Sequence, residues 1–222
     1  AVARSRSDRR ARWYESYVTT LLQREGRDLS RVEDLAAFPR LLALAAARPA
    51  QLTNMSDLSR AAGLPPSTLR PYMPLLEGGF LVHSLPAWST NRTKRVTRSP
   101  KLHLTDSGLA AHLVGLEMEG TPGRGLNLGG LLETFAVNEV IRQRDVSSTR
   151  PSAFHFRTHT GIEVDLLLED RRGRLVGIEI KAAGSVGARD LRGLRYLERE
   201  HPETFVQGVV LYGGEEVVPF SD

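Results

Sequence analysis

At 222 residues, 41% of them hydrophobic, the chain can form one large domain or two small ones, and its lack of cysteine excludes disulfides and thiolate-bound zinc and fits a reducing cytoplasm. No apolar run of bilayer length, no secretory pattern at the start and no G-x-x-x-x-G-K-[ST] phosphate cradle occur, so neither a membrane span, nor export, nor an ATP site within this chain is expected. The net charge of +4 is uneven: residues 1–128 hold 18 Lys and Arg against 11 Asp and Glu (net +7), residues 129–222 hold 12 against 15 (net −3), and the basic part is expected to attract a polyanion.

Residues 1–29 read as a helical N-terminal segment: a basic, polar start, then a helix over 13–24 with Tyr14, Tyr17, Val18, Leu21 and Leu22 along one packing stripe. Ser30-Arg31-Val32-Glu33 is a capping box that opens a helix running to Arg48, with Pro39 bending it or marking a fresh start. Ser56 is placed to cap the short helix DLSRAA, Gly63 makes a turn, and 66–77 forms a second helix ended by Gly78 and Gly79. A strand over 80–85 with a returning strand over 101–104 completes a helix-turn-helix with a wing, and the winged domain is read as 30–116.

No acidic residue lies between Glu77 and Asp106, whereas Arg92, Lys94, Arg95, Arg98 and Lys101 are basic. Such a loop suits phosphate contact. The helix over 66–77 offers Arg70 to bases but also holds Pro71 and Pro74, each of which removes a helical hydrogen bond, so binding with little sequence preference is expected. Thr105-Asp106-Ser107 is placed to cap a helix through Leu113, and the glycine-rich stretch 117–128 reads as a linker.

Beyond it the pattern changes. Residues 129–144 read as a helix with Leu132, Phe135, Ala136, Val140 and Ile141 on a stripe, followed by a strand over 153–157. Residues 161–181 read as a β-hairpin, then come a helix over 188–200 and a strand over 205–212. Side chains two apart on a strand share a face. A loop of Arg171-Arg172-Gly173 sets Asp165 opposite Glu179 and Glu163 opposite Lys181. Carboxylates gathered in this way repel one another. They are satisfied either by a hard divalent cation with oxygen ligands or by charge pairing across the strands.

The order α-β-β-β-α-β, with Glu133 in GGLLE, Asp165 in EVD, and Glu179 and Lys181 in IEIK, resembles the PD-(D/E)XK nuclease superfamily over most of 129–212. The resemblance implies an α+β protein in which the winged-helix domain precedes a restriction-endonuclease-like domain over 129–222. It also implies that Asp165, Glu179 and the carbonyl of Ile180 bind Mg²⁺ or Mn²⁺. Lys181 would hold a water or meet charge on the phosphate, and Glu133 would orient a water or help hold a second ion. Further segments, among them YVTTLLQREGRDL, NRTKRVTRSPKLHLTDSGLAAHLVGL and GIEVDLLLEDRRGRLVGIEIKA, resemble the C-terminal part of prokaryotic AAA+-type P-loop ATPases. That family resemblance implies an ATPase module earlier in the same chain and nucleic acid, DNA foremost, as partner. A non-catalytic regulatory module that binds nucleic acid or a protein, and a structural oligomerisation region, are the competing expectations.

Overall fold

The computed structural model describes residues 7–28, 37–116 and 127–220. The Ser30–Glu33 capping box and nearly all of the expected linker lie outside these residues. The protein is α+β and divides into two compact units, Ala1–Leu85 with Ser99–Asn138, and Pro86–Arg98 with Glu139–Asp222.

The first unit begins with helices α1 (Ser7–Asp28) and α2 (Ala37–Ala47). Pro39 falls in the first turn of α2, where backbone N–H groups have no partner within the helix and a proline costs little. Helix α3 (Met55–Ala62) is capped by Asn54, whose side chain accepts from the N–H groups of Ser56 and Asp57. The cap is therefore Asn54 rather than the expected Ser56, which lies inside the helix. Gly63 closes α3 at φ +65°, a left-handed conformation that glycine adopts without a Cβ clash.

The single helix expected over 66–77 is two short ones, α4 (Pro66–Leu69) and α5 (Tyr72–Gly78). Pro71 lacks the N–H that would join them. Strands β1 (Val82–Leu85) and β2 (Lys101–Leu104) form an antiparallel ladder with His83 opposite His103. Helix α7 (Ser107–Leu113) is capped by Asp106, which accepts from Leu109 N–H. Phe38, Leu42, Leu69, Tyr72, Leu76, Leu104 and Leu109 are the large buried side chains of this core.

A polar seam ties the first half of helix α8 (Leu128–Val146) to this ladder. Lys101 Nζ donates to Glu133 Oε1 at 2.6 Å, and His103 Nδ1 lies 3.2 Å from Thr134 Oγ1. Asn138 Nδ2 donates to the carbonyls of Leu104 and Thr105. Its Oδ1 therefore accepts, at 2.7 Å, from His83 Nε2, which fixes that ring's tautomer. Buried polar groups need such partners, and here they also set the register of α8 on the strands.

The second unit is a mixed sheet in the order β3 (Ser152–Arg157), β4 (Glu163–Glu169), β5 (Leu175–Lys181), β6 (Phe205–Tyr212). The first three strands are antiparallel, and helix α9 (Arg192–Glu200) carries the chain across to β6, which runs parallel to β5. Leu166 lies opposite Ile178 and Glu169 opposite Leu175, the register that the three-residue loop requires. Asp170 builds that loop: its side chain accepts from the N–H groups of Arg172 and Arg174, and Gly173 takes φ +78°.

The units do not divide at 117–128. Residues 86–98, expected within the winged domain, fold with the sheet. Trp88 N–H donates to His155 O at 2.7 Å and His155 N–H to Pro86 O at 2.9 Å, so this segment covers the outer edge of β3. Trp88 is buried with Phe156, Val164, Leu194 and Leu197. The basic stretch is in part helical, α6 (Arg92–Thr97), started by Asn91, whose side chain accepts from Thr93 and Lys94 N–H groups. Arg95 anchors it: the guanidinium forks onto both oxygens of Glu169 and lies 5.4 Å from the Trp88 ring and 4.9 Å from that of Phe154.

Reassigning 86–98 removes the charge asymmetry of the two halves. The first unit holds 14 Lys and Arg against 12 Asp and Glu and the second 16 against 14, each a net of +2.

Glu169 is affected by burial, which raises its pKa, but the hydrogen bond and charge of Arg95 outweigh this and leave it below the usual carboxylate value. A depressed acid adds stability above its unfolded pKa, and that stability is lost as pH falls through the folded one. Solvent screening discounts such a partly exposed pair, so Arg95→Ala should lower unfolding stability by about 1 kcal/mol at pH 7, with a smaller difference from wild type below roughly pH 4. Urea unfolding at both pH values checks this; an equal effect at both would contradict the ion-pair account.

Candidate functional site

The site grows from an irregularity in β4. Between Leu167 and Val164 that strand advances three residues while its partner β3 advances two, Phe154 to Phe156. The extra residue makes a β-bulge, a feature that re-aims side chains and interrupts pairing. Asp165 lies within it. The described β4–β5 ladder stops at Leu166 and Ile178, and two residues on Ile180 N–H donates to Asp165 Oδ2 at 2.9 Å. A side-chain carboxylate thus takes a donor that regular pairing would give to a main-chain carbonyl.

Asp165 is 5% exposed and Glu179 6%. Two carboxylates at this depth need compensating charge or donors. Lys181 Nζ donates to Glu179 Oε1 at 2.6 Å. Burial alone would lower the Lys181 pKa; the hydrogen bond and charge of Glu179, with the charges of Asp165 and Asp190, overcome it and hold it above the ordinary lysine value. Lys181 is therefore a fixed cation at neutral pH, and both carboxylates act on it.

The structure gathers Asp165, Glu179, Ile180 and Lys181 in the second unit. Glu163, expected opposite Lys181, instead accepts from Arg157 on β3 at 2.8 Å. Glu133 lies in the first unit, where Lys101 donates to it. Of the residues expected to contact phosphate, Lys101 is 3% exposed and Arg95 is half-buried in its clamp. Arg92, Lys94 and Arg98 are exposed, as is Arg70 in the break between α4 and α5. No sequence motif marks Trp88 and Glu169, which anchor the 86–98 segment, or Asp190, whose charge acts on Lys181.

Oxygen donors on two carboxylates suit a hard cation, and Mg²⁺ is commonly held by one or two carboxylates with water and substrate phosphate completing its shell. Among the described residues no group of three or more His, Cys, Asp or Glu side chains gathers for a metal. No described helix is long and apolar enough to cross a membrane.

Comparison with known proteins divides the chain in two. Residues 1–120 match a family described as a domain of unknown function, DUF8612, and this chain belongs to that family. Residues 128–222 match a second domain of unknown function, DUF4143. The chain is 30% identical over 222 residues to an uncharacterised protein of Mycobacterium bovis and, equally, to one of Mycobacterium tuberculosis. Each alignment covers 99% of this chain and 48% of the relative, so the chain spans about half the length of the curated relatives it matches. No solved structure matches it.

The elevated Lys181 pKa depends on Glu179, so Glu179→Gln should lower it. Acylation of Lys181 by an activated ester at about pH 9, below the usual lysine pKa, followed by peptide mass spectrometry, should be faster in the variant than in wild type. Equal rates would separate the two side chains.

Proposed function

We propose that this chain is the DNA-interacting C-terminal region of an AAA+-type ATPase and that its second unit holds a metal-dependent phosphodiesterase site. The observation that carries this reading is the pair of buried carboxylates, Asp165 and Glu179, converging on the Lys181 ammonium at a bulged strand end. The motif resemblance supports it, and the 48% coverage of the relatives leaves room for an ATPase module in proteins of this kind.

Asp165 and Glu179 are the side chains to hold Mg²⁺ or Mn²⁺. A strand residue directs its N–H and C=O to the same side, and with the Ile180 N–H on Asp165 the Ile180 carbonyl would be the main-chain oxygen to complete the set. The ion would supply Lewis-acid stabilisation of charge on a phosphodiester. Lys181, a compact cation already fixed in place, meets negative charge as it builds on the phosphate. Asp165 is held for its role by the Ile180 N–H. Glu133 is left out of this set, since its pairing with buried Lys101 accounts for its charge. Arg92, Lys94 and Arg98 remain available for phosphate contacts that position a strand without reading its sequence.

A second reading has its own observation. Lys181 is already neutralised by Glu179, an arrangement that also serves as a purely structural ion pair. On that reading the unit is a non-catalytic module that binds nucleic acid or a partner and regulates the ATPase.

Cleavage of single- and double-stranded DNA and RNA in Mn²⁺ distinguishes the two. Wild type should cut at least one substrate; Lys181→Ala should lose cleavage by roughly a hundredfold or more, as removal of one transition-state donor does, and Asp165→Ala should abolish it. Cleavage that persists in Asp165→Ala would refute the assignment.

A further inference from the structure

Helix α9 has two unlike sides. Leu191, Gly193, Leu194 and Leu197 are buried against the sheet, while Arg192, Arg195 and the preceding Arg189 are exposed. Arg192 and Arg195, three apart on α9, share one flank of the helix, and Arg189 lies in the turn just before it. That turn is closed by Arg192 N–H donating to Arg189 O. Among the described residues none of the three guanidinium groups makes an ion pair. Arg199, one turn on, differs: it is bonded to Glu200 and lies 5.4 Å from the Tyr196 ring.

The packing of α9 fixes where this row begins. A Cβ on Gly193 would stand 2.0 Å from Glu163 O and 2.8 Å from Val164 Cγ2. The helix is therefore seated directly on the two β4 residues that precede Asp165. Asp190, between Arg189 and Arg192 in sequence, acts electrostatically on Lys181 and caps its own turn by accepting from Gly187 N–H at 2.9 Å. The acid is thus engaged by its own turn, and among the described residues no ion pair joins it to the arginines beside it. The α6 cations, by contrast, are anchored through Glu169, four residues further along β4 and roughly 13 Å away at strand rise.

We propose that Arg189, Arg192 and Arg195 form a phosphate-binding track that holds a nucleic-acid backbone at the end of β4 bearing Asp165. The track rests on the phosphodiesterase reading of that site for its purpose, but not for its binding. At about 1.5 Å per residue in the helix and about 2 Å per residue in the turn before it, the three arginines span roughly 10 Å, and a DNA strand presents a phosphate about every 3.4 Å along the axis, so the row matches about three phosphates. Arginine is suited to this because its planar fork binds a phosphate through two parallel donors.

The test is binding of a fluorescent DNA duplex of about 20 base pairs, several times the length of the track, to the full chain in EDTA, titrated at several salt concentrations. Wild type should bind, with log affinity falling linearly with log salt. Arg189→Ala/Arg192→Ala/Arg195→Ala should weaken binding and flatten that slope by roughly 2 to 3, while the triple lysine variant keeps most of it. Circular dichroism checks folding; if the triple alanine variant does not fold, Arg192→Ala alone should flatten the slope by about 1. An unchanged slope in a folded alanine variant overturns the track. So does a wild type that ignores the duplex, and a glutamate-rich peptide bound in its place would assign the arginines to an acidic protein. Because EDTA removes metal, a failure of cleavage with binding intact bears only on the site, and a failure of binding with cleavage intact bears only on the track.

Discussion

The hydrogen bond from Ile180 N–H to Asp165 is the interaction on which the second unit's candidate site depends. A strand end normally satisfies its backbone through the neighbouring strand. Here the bulge in β4 withdraws that partner and supplies a carboxylate instead. One residue inserted into one strand therefore does two things: it ends the β4–β5 ladder and delivers a buried acid to Glu179 and Lys181. A regular β4 would satisfy its backbone better and leave Asp165 as one more alternating side chain.

Burial makes the demand for partners acute. Two carboxylates with 5% and 6% exposure are costly unless donors or cations meet them, and removing one partner of such a group costs more than the pair contributes. Lys181 and Ile180 N–H meet part of that demand in this structure. On the proposed reading a divalent cation would meet the carboxylate oxygens of Asp165 and Glu179, and a phosphate would meet the Lys181 ammonium. The seat of Gly193 on β4 brings α9 down onto the same strand end, so that a helix with one leucine flank and one arginine flank lies against it.

Much of the element order was legible in the sequence because it rests on local chemistry. The Asp170–Gly173 loop, the Asp106 cap and the Gly63 turn are each fixed by side chains within a few residues, and the hairpin register follows from the loop length. The β4 bulge was not legible, since EVD alternates and the three leucines that follow carry no mark of an inserted residue. Nor was the placement of 86–98: a run of basic residues reads as a solvated loop, and only tertiary contacts show that Trp88 enters a core and Arg95 is held by a glutamate 74 residues away. The fate of Lys101 was hidden for the same reason. Its partner Glu133 lies on a helix that the sequence assigned to the other domain.

We propose that Asp165 and Glu179 together hold a divalent cation. Calorimetric titration of Mn²⁺ into the full chain, repeated with Asp165→Ala, tests it most directly. Wild type should bind saturably, and the variant should lose that binding. Equal binding by both, or no binding by wild type, would contradict it.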